Sequence, residues 1–115
     1  MSYLTQKTIK TPVSFSGIAL HNGLNVSVTL RSAKPNEGIV FKRVDLKNNN
    51  LVYPNFLNVT NTSLNTTIEN EFGVRVSTIE HLMGALFGLG IDNAIVEIDN
   101  EEVPILDGSA KKFIE

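Results

Sequence analysis

The sequence predicts an α+β domain, in which a mainly antiparallel sheet packs against one full helix and the start of a second. Residues 24–30 alternate strictly between apolar and polar side chains, which is the pattern of a half-buried strand. Residues 79–86 instead repeat apolar side chains at the spacing of one helix face. Because the strand patterns come before and after the helical pattern and do not alternate with it, they favour antiparallel pairing.

The composition is typical of one soluble globular domain. Of the 115 residues, 42% are apolar and 19% are charged. This length suits a single hydrophobic core, so residues 1–115 are assigned to one domain. The net charge of −2 gives no general attraction to nucleic acid or to an anionic membrane. No apolar segment reaches membrane-spanning length, and the N-terminus lacks the features of a signal peptide. We therefore expect a cytoplasmic protein with no nucleic-acid partner and no stable membrane insertion.

Strand patterns recur along the chain before the main helix. Five segments carry them, in order residues 8–16 (interrupted at Pro12), 24–30, 39–44, 51–56 and 66–69. Residues 58–65 are dense in Asn, Thr and Ser, and they form either a polar strand or an extended loop. Residues 74–76 are predicted to pair with residues 66–69 as a hairpin through the turn at 70–73.

The main helix is predicted to begin at Ser77. Ser77 can cap the first turn, and Glu80, three residues later, completes a capping box. The apolar stripe of this helix consists of Ile79, Leu82, Met83 and Leu86. The glycines at 88 and 90 end the helix.

Two further elements are predicted after the main helix. Residues 94–98 and 103–106 pair as a second hairpin across 99–101. Residues 107–109 form a turn into an N-cap, and residues 110–115 open a second helix. Because the chain stops after about two turns of that helix, we expect this domain to belong to a longer protein.

Glu80 and His81 lie outside the apolar stripe, and Gly84 and Gly88 project to the same side of the helix. Lys, Glu or Gln would be better helix formers at these glycines by about 1 kcal/mol each. One interpretation is a site at which a large group approaches closely, with a histidine that the helix N-terminus keeps neutral and able to bind a metal. The other is a capping glutamate, a histidine on a polar face and glycines that serve helix packing. The residues alone leave both open.

His21 and His81 are the only two histidines, and the chain has no cysteine. A catalytic zinc usually has three protein ligands. Glu80 and His81 belong neither to a His-Glu-x-x-His nor to a His-x-x-Glu-His motif. His21 lies in a turn between Gly17 and Gly23, where a solvated histidine is the more usual interpretation. A zinc site built from His21, His81 and a carboxylate stays open as a hypothesis.

Four motifs resemble those of one enzyme family. They are Gly-Ile-Ala-Leu-His-Asn-Gly at 17–23, Gly-Ile-Val-Phe-Lys-Arg at 38–43, Ser-Thr-Ile-Glu-His-Leu-Met-Gly-Ala at 77–85, and Glu-Val-Pro-Ile-Leu-Asp-Gly-Ser at 102–109. In this order they are similar to the UDP-3-O-acyl-N-acetylglucosamine deacetylases, the zinc hydrolases of the committed step of lipid A synthesis in Gram-negative bacteria. The resemblance covers nearly the whole chain.

The resemblance implies a fold and a set of site residues. The family has two α+β domains of similar fold with the active site between them, and this chain resembles the first domain. His81 would bind zinc, and Glu80 would be the general base that removes a proton from the attacking water. The residues implied to lie near the substrate, a UDP-linked acylated amino sugar, are His21, Leu20, Ser63 and Leu64.

The family's other zinc ligands, a histidine and an aspartate, come from its second domain, which this sequence does not contain. The resemblance therefore implies a half-enzyme that needs the missing C-terminal domain as a partner to hold Zn²⁺ and is inactive alone. Two alternatives are a non-catalytic interaction module of the same fold and a self-contained metalloenzyme that uses His21 and His81. Ala19 replaces a family glycine, which we expect to alter the His21 loop modestly.

Overall fold

A computed structural model describes residues 6–19, 21–54 and 66–104, together with the backbone of a strand at 59–61. In chain order the elements are β1 (Val13–Ile18), β2 (Asn25–Arg31), β3 (Ile39–Arg43), β4 (Leu51–Val52), β5 (Val59–Asn61), β6 (Thr66–Glu69), β7 (Arg75–Ser77), α1 (Glu80–Gly88) and β8 (Ala94–Ile98). The second helix, predicted at 110–115, and the turn before it lie outside the described residues.

The larger sheet is mixed but mainly antiparallel. Its five strands lie in the order β1-β2-β8-β3-β4. The pairs β1–β2, β2–β8 and β3–β4 are antiparallel, whereas β3 and β8 run parallel. A second sheet contains the three antiparallel strands β5-β6-β7. Together with helix α1, these sheets confirm the predicted α+β class and its mainly antiparallel pairing.

Strand β2 follows the predicted alternation with one exception. Val26, Val28 and Leu30 are buried, as expected for its inward face. Leu24 is 55% exposed, so the prediction that it faces inward is wrong. The reason is that the strand begins after it, and the Leu24 carbonyl instead closes the preceding turn by accepting the N–H of Ala19.

The hairpin predicted over residues 66–76 is confirmed, because β6 and β7 pair antiparallel across a short turn. The Asn70 side chain holds this turn, since its Oδ1 accepts the backbone N–H of Val74. Gly73 has a φ of +81°, a left-handed conformation that glycine adopts without strain.

The second predicted hairpin, between 94–98 and 103–106, is wrong in its described part. Strand β8 lies inside the larger sheet, and β2 and β3 occupy both of its edges. No edge is left for a returning strand, so the chain crosses to β7. There Glu102 forms an isolated parallel bridge with Ser77, and the N–H of Val103 donates to the Ser77 carbonyl at 3.0 Å.

Helix α1 begins later than predicted. Ser77 ends β7, and the residue at the helix N-cap is Ile79, which makes no side-chain capping hydrogen bond. The predicted capping box of Ser77 and Glu80 is therefore wrong. Its physical cause is that pairing with the 101–103 segment holds the Ser77 backbone, and Thr78 then adopts a left-handed φ of +60° before the helix. The predicted end is confirmed by the left-handed glycine at 90.

One hydrophobic core joins both sheets and the helix. The predicted apolar stripe faces this core, with Ile79, Leu82 and Leu86 buried and Met83 partly buried. The strands add further fully buried side chains, including Val28, Phe41, Ile68, Val76, Val96 and Ile98. The chain thus has a core of its own. In the part of the chain that the structure describes, no helix is long and apolar enough to cross a membrane.

Arg43 links the two sheets. At the end of β3, its Nη1 donates to the Arg75 carbonyl in β7 at 2.9 Å. Its Nε and Nη2 donate to the two carboxylate oxygens of Asp45 at 2.9 and 2.7 Å. These hydrogen bonds stabilise the ionised carboxylate, and they lower the pKa of Asp45 below its ordinary value despite partial burial.

Leu82→Ala tests the contribution of helix α1 to the core. The Leu82 side chain is fully buried, so its truncation should lower the free energy of unfolding by about 2–5 kcal/mol. Phe87→Ala is a control on the same helix, since Phe87 is 66% exposed and its loss should change stability by less than about 0.5 kcal/mol. Urea denaturation of both variants measures the difference, and equal effects would contradict the orientation of the helix.

Candidate functional site

Glu80 and His81 are the first two residues of α1, and both are exposed. Gly84 and Gly88 follow on the exposed side, and a Cβ atom built on either of them meets no atom within 4 Å. We call the surface formed by these four residues the open helix face. In the described part of the chain, the His81 imidazole makes no hydrogen bond. The bare surface predicted beside the Glu-His pair is confirmed.

The junction between β7 and α1 has a constrained backbone. Thr78 is buried and has a φ of +60°, a conformation that costs a β-branched residue about 1–2 kcal/mol. Two hydrogen bonds hold it there. Its N–H donates to the Thr66 carbonyl at 2.9 Å, and its hydroxyl donates to Glu102 Oε2 at 3.0 Å. The direction in which α1 presents Glu80 is therefore determined by residues outside the helix.

Glu80 is also in contact with the smaller sheet. Its Oε1 accepts the backbone N–H of Thr66, the first residue of β6, at 3.4 Å. This long hydrogen bond uses one carboxylate oxygen and leaves the other without a partner among the described residues. The carboxylate can therefore accept a proton or a further hydrogen bond from a group that approaches the open helix face.

His21 lies in a tight loop between β1 and β2. Ala19 and Gly23 close this loop, because the N–H of Gly23 donates to the Ala19 carbonyl at 2.9 Å. Gly23 has a φ of +70°, the left-handed conformation that glycine permits. The Ala19 methyl group is buried in the core, so packing accommodates an alanine at this position of the loop.

The carboxylate of Glu102 binds the His21 loop to the junction before α1. Its two oxygens accept the backbone N–H of His21 at 3.0 and 3.1 Å, and Oε1 also accepts the N–H of Asn22 at 3.1 Å. Its Oε2 contacts His21 Nδ1 at 2.6 Å and accepts the hydroxyl proton of Thr78 at 3.0 Å. The Glu102 side chain is 2% exposed and the His21 side chain 32% exposed. One end of the imidazole therefore faces a buried acid, while the ring remains partly open to solvent.

The hydrogen bonds at Glu102 determine its protonation. Burial alone would raise the pKa of this carboxyl, because it disfavours the charged form. Donors from His21, Thr78 and Asn22 outweigh burial, so that the pKa of Glu102 is lowered below its ordinary value. The group is ionised at neutral pH and acts only as a hydrogen-bond acceptor.

A family model described as UDP-3-O-acyl N-acetylglycosamine deacetylase (LpxC) matches residues 6–115. This chain belongs to that family. Among its relatives, the UDP-3-O-acyl-N-acetylglucosamine deacetylase of Pseudoalteromonas atlantica is 52% identical over 111 residues. The proteins of the same name from Haemophilus influenzae and Histophilus somni are 50% and 48% identical over 112 residues. Each alignment covers 96% of this chain but only 36% of the relative. The chain thus spans about a third of the length of the curated relatives it matches.

Membership of the deacetylase family confirms the resemblance inferred from the motifs, and the structure adds the positions of three expected site residues. Glu80 and His81 are neighbours on the open helix face, and His21 is held by Glu102. Leu20, Ser63 and Leu64 lie outside the described residues. Across the described ranges, no group of three or more His, Cys, Asp and Glu side chains can hold a metal ion.

Glu102 is a residue of this site that the sequence predictions missed. It is part of the motif at 102–109, but no role was assigned to it. A local signal was lacking, because acidic side chains are almost never fully buried unless they are paired. Its partners were not predictable, since His21 and Glu102 are 81 residues apart in sequence.

Gly84→Ala tests whether the open helix face is uncovered. The new methyl group meets no neighbour, so the better helix propensity of alanine should raise the free energy of unfolding by roughly 0.5–1 kcal/mol. Gly23→Ala is the matched control, because the same methyl group at a φ of +70° should destabilise the chain by about 1 kcal/mol. Thermal and urea unfolding measure both. A Gly84→Ala chain less stable than the original would contradict an uncovered face.

Proposed function

We propose that this chain is the first domain of a zinc-dependent amidohydrolase, which removes the acetyl group from a UDP-3-O-acyl-N-acetylglucosamine in the cytoplasm. The chain would supply one zinc ligand, His81, and the general base, Glu80. The observation that carries the proposal is the exposed, adjacent pair of Glu80 and His81 on α1 in a chain about half identical to named deacetylases. The non-catalytic interaction module remains the alternative.

The fit of zinc to the described residues is partial. The exposed His81 imidazole, which has no hydrogen-bond partner among the described residues, suits a zinc ligand. A catalytic zinc usually takes three protein ligands, and the described part of the chain contains no group of three candidate ligands. His81 therefore suits a site completed by residues outside this part. The 36% coverage of the relatives leaves ample chain to supply them.

The reaction would use the two residues of α1 in different ways. The chemistry that zinc supplies in such a site is the activation of water and the polarisation of the amide carbonyl. Glu80 removes a proton from the water as its oxygen bonds to the carbonyl carbon. The C–N bond then breaks, and the proton held by Glu80 is delivered to the leaving nitrogen. Acetate and a free amino sugar are the products, so that one water is consumed and no oxidant or reductant is needed.

His21, Leu20, Ser63 and Leu64 are proposed to contact the substrate. His21 has a partly exposed ring whose far nitrogen is free of the Glu102 contact. Ser63 and Leu64 precede Thr66 by only three and two residues in the sequence, and Thr66 contacts the Glu80 carboxylate. These features support contact with a substrate that lies across the open helix face.

A chimera provides the direct test of the proposed function. Residues 1–115 would replace the matched segment of the full-length Haemophilus influenzae deacetylase. We expect the chimera to bind one zinc and to hydrolyse the UDP-sugar, whereas the 115-residue chain alone binds zinc weakly and hydrolyses none. Tight zinc binding and turnover by the chain alone would favour the self-contained metalloenzyme. An inactive, well-folded chimera would favour the interaction module.

Glu80→Gln in the chimera tests the general base. The amide keeps the shape of the side chain but cannot take the proton, so turnover should fall by about 10²–10⁴-fold. The zinc content should not change. Glu71→Gln is the matched control, because Glu71 is an exposed acid in the turn between β6 and β7. Turnover by Glu80→Gln equal to that of the control would remove Glu80 from this role.

His81→Ala in the chimera tests the zinc ligand. Loss of the imidazole should remove most of the bound zinc, as measured by atomic spectroscopy, and turnover should fall with it. The side chain is exposed, so the fold should persist, which circular dichroism can check. Full zinc occupancy in this variant would refute the assignment of His81.

A further inference from the structure

We propose that Glu102 is a positioning residue, which fixes His21 with the Nδ1–H proton directed into the protein and Nε2 left free toward the substrate. The same carboxylate joins the His21 loop to the residue before the α1 helix, so that His21, Glu80 and His81 are presented by one connected structure. The role of Nε2 toward a substrate rests on the proposed function. The assignment of the proton to Nδ1 of His21 does not.

The geometry determines which nitrogen of His21 carries the proton. Two of the groups around the Glu102 carboxylate can only donate, the backbone N–H groups of His21 and Asn22, and the Thr78 hydroxyl also donates to Oε2. An ionised carboxylate has no proton to give. The 2.6 Å contact between His21 Nδ1 and Glu102 Oε2 can therefore be a hydrogen bond only if Nδ1 is the donor. In the neutral ring, the proton is then on Nδ1 and a lone pair is on Nε2.

Because the Glu102 carboxylate is buried, it depends on the hydrogen-bond donors around it. An ionised carboxylate that is 2% exposed would cost several kcal/mol if its donors were missing. Donors reach it from two segments that are far apart in sequence, the loop with His21 and Asn22 and the junction at Thr78. If either segment moved away, the Glu102 carboxylate would lose hydrogen bonds that replace water around its charge. Glu102 thus holds both segments in place together.

A purely structural role for Glu102 would need only the backbone bonds. The loop is already closed by its own hydrogen bonds between Ala19, Gly23 and Leu24. The additional contact with Nδ1 orients the ring, as a carboxylate orients the histidine in many metal and catalytic sites. The tautomer of His21 therefore separates a positioning residue from a structural one.

Nitrogen-15 NMR of the 115-residue chain measures the tautomer directly. With only two histidines, the two rings can be assigned with a His21→Gln variant, and His81 serves as an internal reference. At a pH where both rings are neutral, we expect His21 to be predominantly the Nδ1–H form. A predominantly Nε2–H form of His21 in the unaltered chain would overturn the proposal, whether or not any variant folds.

Glu102→Gln tests the cause of this state, with Glu101→Gln as the matched control. Glu101 is the exposed neighbouring acid. A neutral amide cannot accept all the donors around it, so the Nδ1–H population of His21 should fall several-fold in Glu102→Gln while His81 stays unchanged. Glu101→Gln should change neither ring. An unchanged His21 tautomer in folded Glu102→Gln would overturn the proposal. If Glu102→Gln does not fold, Thr78→Val is the second variant, because it removes only one donor to Glu102. His21 should keep the Nδ1–H form in Thr78→Val. Loss of the Nδ1–H form in that variant would count against Glu102 as the group that determines the tautomer.

Kinetic measurements on the chimera test whether Glu102 also affects substrate binding. Glu102→Gln should lower kcat/KM by roughly 10–100-fold, chiefly through KM, with the zinc content unchanged. Unchanged kinetics in a folded Glu102→Gln chimera would refute the contribution of Glu102 to substrate binding. An inactive parent chimera would refute the proposed function alone, because the tautomer of His21 would still decide the role of Glu102.

Discussion

The carboxylate of Glu102 is the interaction on which the arrangement of the site depends. Burial of an ionised acid is unfavourable unless hydrogen bonds replace the lost water. In this chain the replacement comes from the loop after β1 and from the junction before α1. Neither segment belongs to a regular element, and each has a left-handed residue, Gly23 in the first and Thr78 in the second. Loops of this kind are usually the mobile parts of a fold. Because both segments donate hydrogen bonds to the same buried carboxylate, their positions are fixed relative to each other.

The position of Glu102 follows from the order of strands in the larger sheet. Strand β8 is paired on both edges, antiparallel to β2 and parallel to β3. The residues after it therefore cannot fold back onto β8, and they pair with Ser77 at the end of β7 instead. This crossing brings Glu102 to the start of α1 and Val103 into the core. The absence of the predicted hairpin and the burial of Glu102 thus have one cause. Because β8 has no free edge, the residues that follow it pair with the smaller sheet.

The predictions that succeeded rest on local patterns, and those that failed depend on distant contacts. The alternation of Val26, Val28 and Leu30 and the spacing of Leu82 and Leu86 report which side of an element is buried, and both were predicted from the sequence. The capping box failed because pairing of Ser77 with the 101–103 segment outweighed a local capping preference worth about 1 kcal/mol. Glu80 and His81 were identifiable as exposed residues because they depart from the apolar stripe. Glu102 was not identifiable as a buried acid, since its contacts form only when the loop around His21 closes over it.

In the half-enzyme proposed above, the constrained junction would hold one part of the site in place for the part that a second domain supplies. In the proposed half-enzyme, His81 and Glu80 must meet groups of a second domain within about 0.5 Å of the productive geometry. A helix that swivelled at its N-terminus would lose that precision each time the two domains separated slightly. The hydrogen bonds of Thr78 to Thr66 on one side and to Glu102 on the other oppose such a rotation. The glycines of the open helix face then let a second surface come close without displacing side chains. A site that a second domain completes would thus need both features: a constrained junction that fixes α1, and an uncovered helix face that the second domain can approach.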